Sequence, residues 1–157
     1  MLSKTNGWNR AAIIGGLSII GGDNQVVLRS LIDVAYTIED LEECRAIAKA
    51  LGEMTVTNQK SVNALIYLLR IYDDHNFWYF ATESLKKIAI GNANAINILI
   101  ELLPTAKSTD QYRKIIETLA EIGVGNSSAI ATLTEIRDNC QDDYYQKVVT
   151  VLLKKMK

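Results

Sequence analysis

The feature that most constrains this chain is a comb of residues with a period of 34. Asn24, Asn58, Asn92 and Asn126 stand on it. So do Leu31, Leu65, Leu99 and Leu133, and Leu28, Val62, Ile96 and Ile130. Two further columns are Leu17, Leu51, Leu85 and Leu119, and Ile20, Met54, Ile88, Ile122 and Met156. All five stay in phase without an insertion or deletion. A fixed period of this length marks stacked supersecondary units, none of which can bury its apolar face alone.

Within a unit the apolar spacing is helical twice over. "NANAINILIELL" places Ile96, Leu99, Ile100 and Leu103 on one face, and "DQYRKIIETLAEIG" does the same with Tyr112, Ile115, Leu119 and Ile122. Asn92 and its equivalents are suited to cap the first helix, because the side-chain oxygen can accept an orphan N–H of the first turn. Gly91 and Gly125, just ahead of them, suit a left-handed residue ending the preceding helix. Polar turns such as "TAKST" separate the two helices, and the single proline, Pro104, falls near the end of a first helix, where a lost hydrogen bond is cheapest. No stretch alternates with period two for long enough to make a strand. The pattern therefore predicts an all-α fold, a right-handed α-solenoid in a single domain over 1–157. It would hold a half repeat at 1–22 and repeats at 23–56, 57–90, 91–124 and 125–157.

The first unit lacks its first helix. "WNRAAIIGGLSII" aligns with a second helix and has no mate before it, so an apolar face is expected to need cover. Gly15 and Gly16 weaken this helix further. Two readings stand side by side. In one, the N-terminal end packs on another partner or on the rest of a larger protein. In the other, residues 1–8 fold over the end. The C-terminal "DDYYQKVVTVLLKKMK" ends in lysines, which suit a helix C-terminus.

Bulk properties exclude several classes. The chain has 157 residues, 48% hydrophobic and 22% charged, with net charge −1. The length suffices for a core without disulfides, and the charge balance lacks the basic excess of a general nucleic-acid binder. Cys44 and Cys140 form no CxxC and read as reduced thiols in a cytosolic protein. "AAIIGGLSII" is too short and glycine-rich for a membrane span. No phosphate loop, zinc spacing, nucleophile elbow or convergent His/carboxylate set is present, so neither cofactor nor catalytic residue is expected.

The repeat pattern, A-I-x-x-L-x-x-L, a loop, then D-x-x-x-R-x-x-aliphatic-x-x-L-x-x-I-G-x-G-N, resembles HEAT-like repeats. It is most similar to the regular 34-residue bacterial kind, common in cyanobacteria, found with NACHT-type NTPases, and more loosely to phycobilisome-lyase-type HEAT repeats. The tetratricopeptide signature, which shares the period, is absent. The resemblance runs from about Asn9 to Met156. It departs in the second repeat, where "TVTN" replaces I-G-x-G-N, and at "DDHNFWYF", residues 73–80, where aromatics take polar positions. It implies that the second helices line a concave face. It also implies a non-enzymatic, cytoplasmic scaffold for a protein partner, serving as the sensor or interaction part of a larger signalling protein.

Four of the eleven aromatics lie consecutively at Phe77, Trp78, Tyr79 and Phe80. A helical wheel centred on Ile115, Leu119 and Ile122 turns positions 113, 117 and 120 outward. Its equivalents are Ala11, Gly15 and Ser18; Arg45, Lys49 and Gly52; Tyr79, Glu83 and Lys86; and Lys147, Val151 and Lys154. Trp78 falls on the half-buried column of Cys44 and Tyr112 and reads as core, and Phe77 falls near the edge of the buried stripe and reads as partly core. Tyr79 falls on the outward row with Phe80 beside it. These two, with Arg45, Lys49, Glu83, Arg113 and Glu117, form the candidate partner-binding surface, since aromatics bury much area at low entropic cost. Packing between neighbouring second helices is the competing role for Tyr79 and Phe80. The small residues at 11, 15, 18 and 52 either admit a partner helix or leave room for curvature. His75, the only histidine, lies between Asp73–Asp74 and Asn76. It has no second ligand and belongs to a capping turn, as do Asp110, Asp142 and Asp143. A bilin-lyase-like accessory subunit or chaperone is the alternative function. A HEAT-like nucleic-acid-binding protein comes third, because Glu83 and Glu117 interrupt the basic row.

Overall fold

The computed structural model describes residues 7–54 and 59–156. Among them the chain is all-α: α1 (Gly7–Ile20), α2 (Gln25–Ala35), α3 (Leu41–Glu53), α4 (Gln59–Ile71), α5 (His75–Ile88), α6 (Ala93–Leu102), α7 (Thr109–Ile122), α8 (Ser127–Asn139) and α9 (Asp143–Lys155). A short 3-10 turn, Leu103–Thr105, holds Pro104 and closes α6. Helix starts keep the step seen in the sequence. α2, α4, α6 and α8 begin at 25, 59, 93 and 127, and α1, α3, α5, α7 and α9 at 7, 41, 75, 109 and 143. No described helix is long and apolar enough to cross a membrane.

Side-chain caps set these starts. Asn24, Asn92 and Asn126 accept from the first-turn N–H groups of α2, α6 and α8. Asp40, Asp74, Ser108 and Asp142 do so for α3, α5, α7 and α9, again one every 34 residues. Each cap is worth about 1 kcal/mol. The sequence expectation needs two refinements. Asp74, not Asp73 or Asn76, caps α5. In the next pair Ser108 takes the capping place expected of Asp110, and Asp110 lies inside the first turn of α7, where it binds Arg113. Asn58 lies outside the described residues.

The molecule divides into two compact units, Met1–Ile88 and Ala89–Lys157. In the first, α2 packs on α3 and α4 on α5, while α3 packs on both α1 and α5. Its core includes Leu28, Ile47, Leu51, Leu65, Leu68, Phe77 and Leu85, all essentially sealed from solvent. α3 and α5 approach very closely at Gly52. A Cβ there would lie 2.8 Å from the Ser84 Cα, and the Ser84 hydroxyl donates to the Ala48 carbonyl at 2.7 Å.

In the second unit α6 packs on α7 and α8, and α9 on α7 and α8, around Ile96, Leu99, Ile115, Leu119, Ile122 and Leu133. Gly91 and Gly125 have φ of 70° and 72°, in the left-handed region where glycine carries no Cβ penalty. The Gly91 N–H donates to the Ile122 carbonyl at 2.7 Å, and the Gly125 N–H to the Met156 carbonyl at 2.9 Å. The Gly91 turn is thereby tied to the end of α7 and the Gly125 turn to the end of α9.

Candidate partner-binding surface

The aromatic run divides between interior and surface. Asp74 starts α5 so that Phe77 and Trp78 turn inward. Phe77 is 0% exposed and Trp78 5%, so Phe77, expected to be partly core from its place near the edge of the stripe, is a full core residue. The Phe77 ring lies 5.7 Å from that of Tyr72, and Trp78 Nε1 donates to the Tyr72 carbonyl at 2.8 Å. The Tyr72 hydroxyl in turn donates to the Ile38 carbonyl at 2.8 Å. Burial pushes the Tyr72 phenol up, with its hydrogen bond to Cys44 adding to the effect, and burial also raises the Cys44 thiol. Cys44 is thus a sealed, protonated thiol, not a reactive one.

The other two aromatics face outward. Tyr79 is 46% exposed and Phe80 half-buried, with their rings edge-to-face at 5.4 Å. Phe80 lines an open groove of about 480 Å³ on the first unit. Ala11 and Ala12 of α1, Glu42, Arg45, Ala46 and Lys49 of α3, and Asn76 of α5 form the rest of its lining. The fold therefore brings Arg45, Lys49 and Phe80 together, with Tyr79 packed against Phe80. Glu83, one turn further along α5, pairs with Lys86 at 2.8 Å. Arg113 and Glu117 belong to α7 in the second unit, where they pair with each other at 3.0 Å and Arg113 also holds Asp110 at 2.7 Å.

The charges on these rows are largely matched internally. Arg45 spans two helices, with Nε and Nη2 donating to Asp74 Oδ1 at 3.1 and 2.8 Å and Nη1 bound to Glu42. The hydrogen bond to Asp74 raises the Arg45 pKa. Burial works to raise the Asp74 carboxyl, but the Phe77 N–H and Arg45 outweigh it and hold the carboxyl below its ordinary value. One carboxylate thus caps α5 and clamps it to α3. Lys49, the more open cation, is 3.8 Å from Glu53.

The outward rows hold at their first two positions and divide at the third, where Lys154 is exposed and Lys86 half-buried but the small residues turn inward. Ser18, Gly52 and Ala120 are buried. Gly52 shows this most plainly, pressed under Ser84, so its small size serves packing within the chain. Glu42 and Asp74, the partners of Arg45, were missed from the sequence. The Glu42/Arg45 spacing of three on one helix could have signalled the first. The second joins residues 29 apart in sequence and depends on how α3 meets α5.

A second concavity of about 340 Å³ lies between α8 and α9, where Tyr112 and Tyr145 stack at 6.3 Å beside Cys140. The Tyr145 hydroxyl is buried with no hydrogen-bond partner, and burial, followed by the proximity of Tyr112, pushes its phenol up. Among the described residues no three His, Cys, Asp or Glu side chains converge as metal ligands. Comparison with protein-family models, curated proteins and solved structures finds no match.

Proposed function

We propose that this chain is a non-enzymatic protein–protein interaction module. In this reading it is a right-handed α-solenoid of HEAT-like repeats whose second helices receive a protein partner in the cytoplasm. The 34-residue step shared by sequence columns and helix starts supports the repeat reading. One observation carries the binding reading. α5 meets its burial needs with Phe77 and Trp78, yet continues with Tyr79, 46% exposed, braced edge-on against Phe80 at the wall of the groove. An exposed aromatic next to an open apolar wall has the character of an interface hot spot. Arg45 is placed to hold that wall in position, and Lys49 and Glu83 of the same unit supply rim charges that tune encounter and register.

The internal ion pairs favour a protein over a nucleic acid. Arg45, Lys86 and Arg113 each lie within 2.8 Å of a carboxylate, so they offer phosphates little net positive charge. The test is site-specific photo-crosslinking in cells, with a photoreactive phenylalanine analogue at position 79 and, as control, at exposed Asn63 on α4. The proposal expects a discrete crosslinked protein from position 79 and none from position 63. Equal patterns from both positions would refute it.

A further inference from the structure

The concavity between α8 and α9 has the makings of a small-molecule site, separate from the α5 groove. Its volume of about 340 Å³ falls in the range of small-ligand pockets. Tyr112 of α7 and Tyr145 of α9, stacked at 6.3 Å, supply aromatic faces, and Ile136 of α8 supplies an aliphatic one.

Two polar groups of the lining lack partners. The Tyr145 hydroxyl is shut off from solvent and makes no hydrogen bond. Tyr112 and Cys140, which line the same concavity, are the groups whose charge acts on it first, so the hydroxyl lies among the lining side chains. A buried hydroxyl without a partner costs stability, and such a group calls for a reason. The second group is Glu135, the one charged residue of the lining. It is exposed and in no ion pair among the described residues, whereas Arg137 nearby is taken up by Asp138 at 2.7 Å. An anionic ligand would meet repulsion from Glu135, and a neutral one would leave its charge unmatched.

We infer that this concavity binds a small primary amine with an apolar body. The ammonium donates to the Glu135 carboxylate and to the Tyr145 oxygen, which has lone pairs to spare. It lies against the tyrosine faces, where cation–π attraction adds to the hydrogen bonds, and the apolar body packs on Ile136. Cys140 is the part of the lining that yields. It stands in the connection between α8 and α9, and its thiol is held by a 3.5 Å contact to the Asp142 carbonyl, so its displacement opens the way to the hydroxyl.

The probe is phenethylamine, titrated into the full, isotopically labelled chain and followed by amide shifts in two-dimensional NMR. Phenethyl alcohol is the uncharged control of the same shape. Saturable shifts are expected at Ile136, Cys140 and Tyr145, with the alcohol about tenfold weaker. Glu135→Gln and Tyr145→Phe should each weaken the amine about tenfold, the loss of one charge-assisted hydrogen bond, and Tyr79→Ala should leave it unchanged. Both site variants should fold, since Glu135 is exposed and Tyr145→Phe removes an unpaired hydroxyl. No saturable shift, shifts confined to other residues, or equal affinity for amine and alcohol overturns the inference. So does undiminished binding by Tyr145→Phe, which would leave a surface carboxylate as the whole attraction.

Discussion

Asp74 performs two jobs that substitution can separate. Its Oδ1 caps α5 through the Phe77 N–H at 2.7 Å and receives two guanidinium nitrogens of Arg45. The cap contributes about 1 kcal/mol. The ion pair, with side chains only 19% and 26% exposed, belongs near the upper end of the surface range, about 1 kcal/mol. Asp74→Ala loses both and should cost about 2 kcal/mol. Asp74→Asn keeps a good cap and loses only the charge, so it should cost about 1 kcal/mol. For a chain of this size these correspond to falls in Tm of roughly 4–8 °C and 2–4 °C. Arg45→Met should match Asp74→Asn, and the double variant should be no worse than either by more than about 0.5 kcal/mol, because the pair is removed once. Asp74 is held below its ordinary pKa, so its contribution is present above the unfolded value of about 3.9 and fades as pH falls through the lower folded value. The gap between wild type and Asp74→Asn should therefore close in strong acid. Urea unfolding of wild type and the four variants at neutral and acid pH measures all of this. Equal losses for Asp74→Asn and Asp74→Ala would refute the division of roles, as would additive effects of Asp74→Asn and Arg45→Met.

Other outcomes follow from local geometry. Gly15→Ala should stabilise by up to about 1 kcal/mol through helix propensity, since nothing lies within 4 Å of the new Cβ. Gly52→Ala should lose that gain and more, about 1–3 kcal/mol, by forcing α3 off Ser84; thermal unfolding of the two variants compares them directly. Tyr145→Phe removes a buried hydroxyl with no partner and should raise stability by about 1 kcal/mol in urea unfolding. Tyr72, Tyr112 and Tyr145 are all raised by burial. Each holds its proton more tightly when folded, so their contribution is intact below about pH 10 and is lost as pH climbs beyond it. Tyrosinate absorbance for three phenols should accordingly lag until the chain unfolds.

Much of the helical framework was legible because it is written locally. Asn92 and Asn126 each sit directly before an apolar stripe, and Gly91 and Gly125 each sit where only a left-handed residue fits. Such signals need no knowledge of tertiary contacts. The surface was less legible because it depends on how helices meet. The wheel separated Trp78 from Tyr79, yet it made Phe77 only partly core when α5 buries it completely, and it gave Gly52 an outward place that Ser84 occupies. Arg45 looked like a charge offered to a partner. Its attachment to Asp74 could not be read from two residues on different helices with no periodic relation between them.

The most direct test of the proposed role is a pull-down from a lysate of the source organism, with wild type beside a Tyr79→Ala/Phe80→Ala variant and mass spectrometry as the readout. Circular dichroism must first show the variant folded, as expected when Phe77 and Trp78 are left in the core. The account predicts at least one protein retained by wild type and lost from the variant. The same proteins in the same amounts on both would contradict it, and would make Tyr79 and Phe80 packing residues of α5.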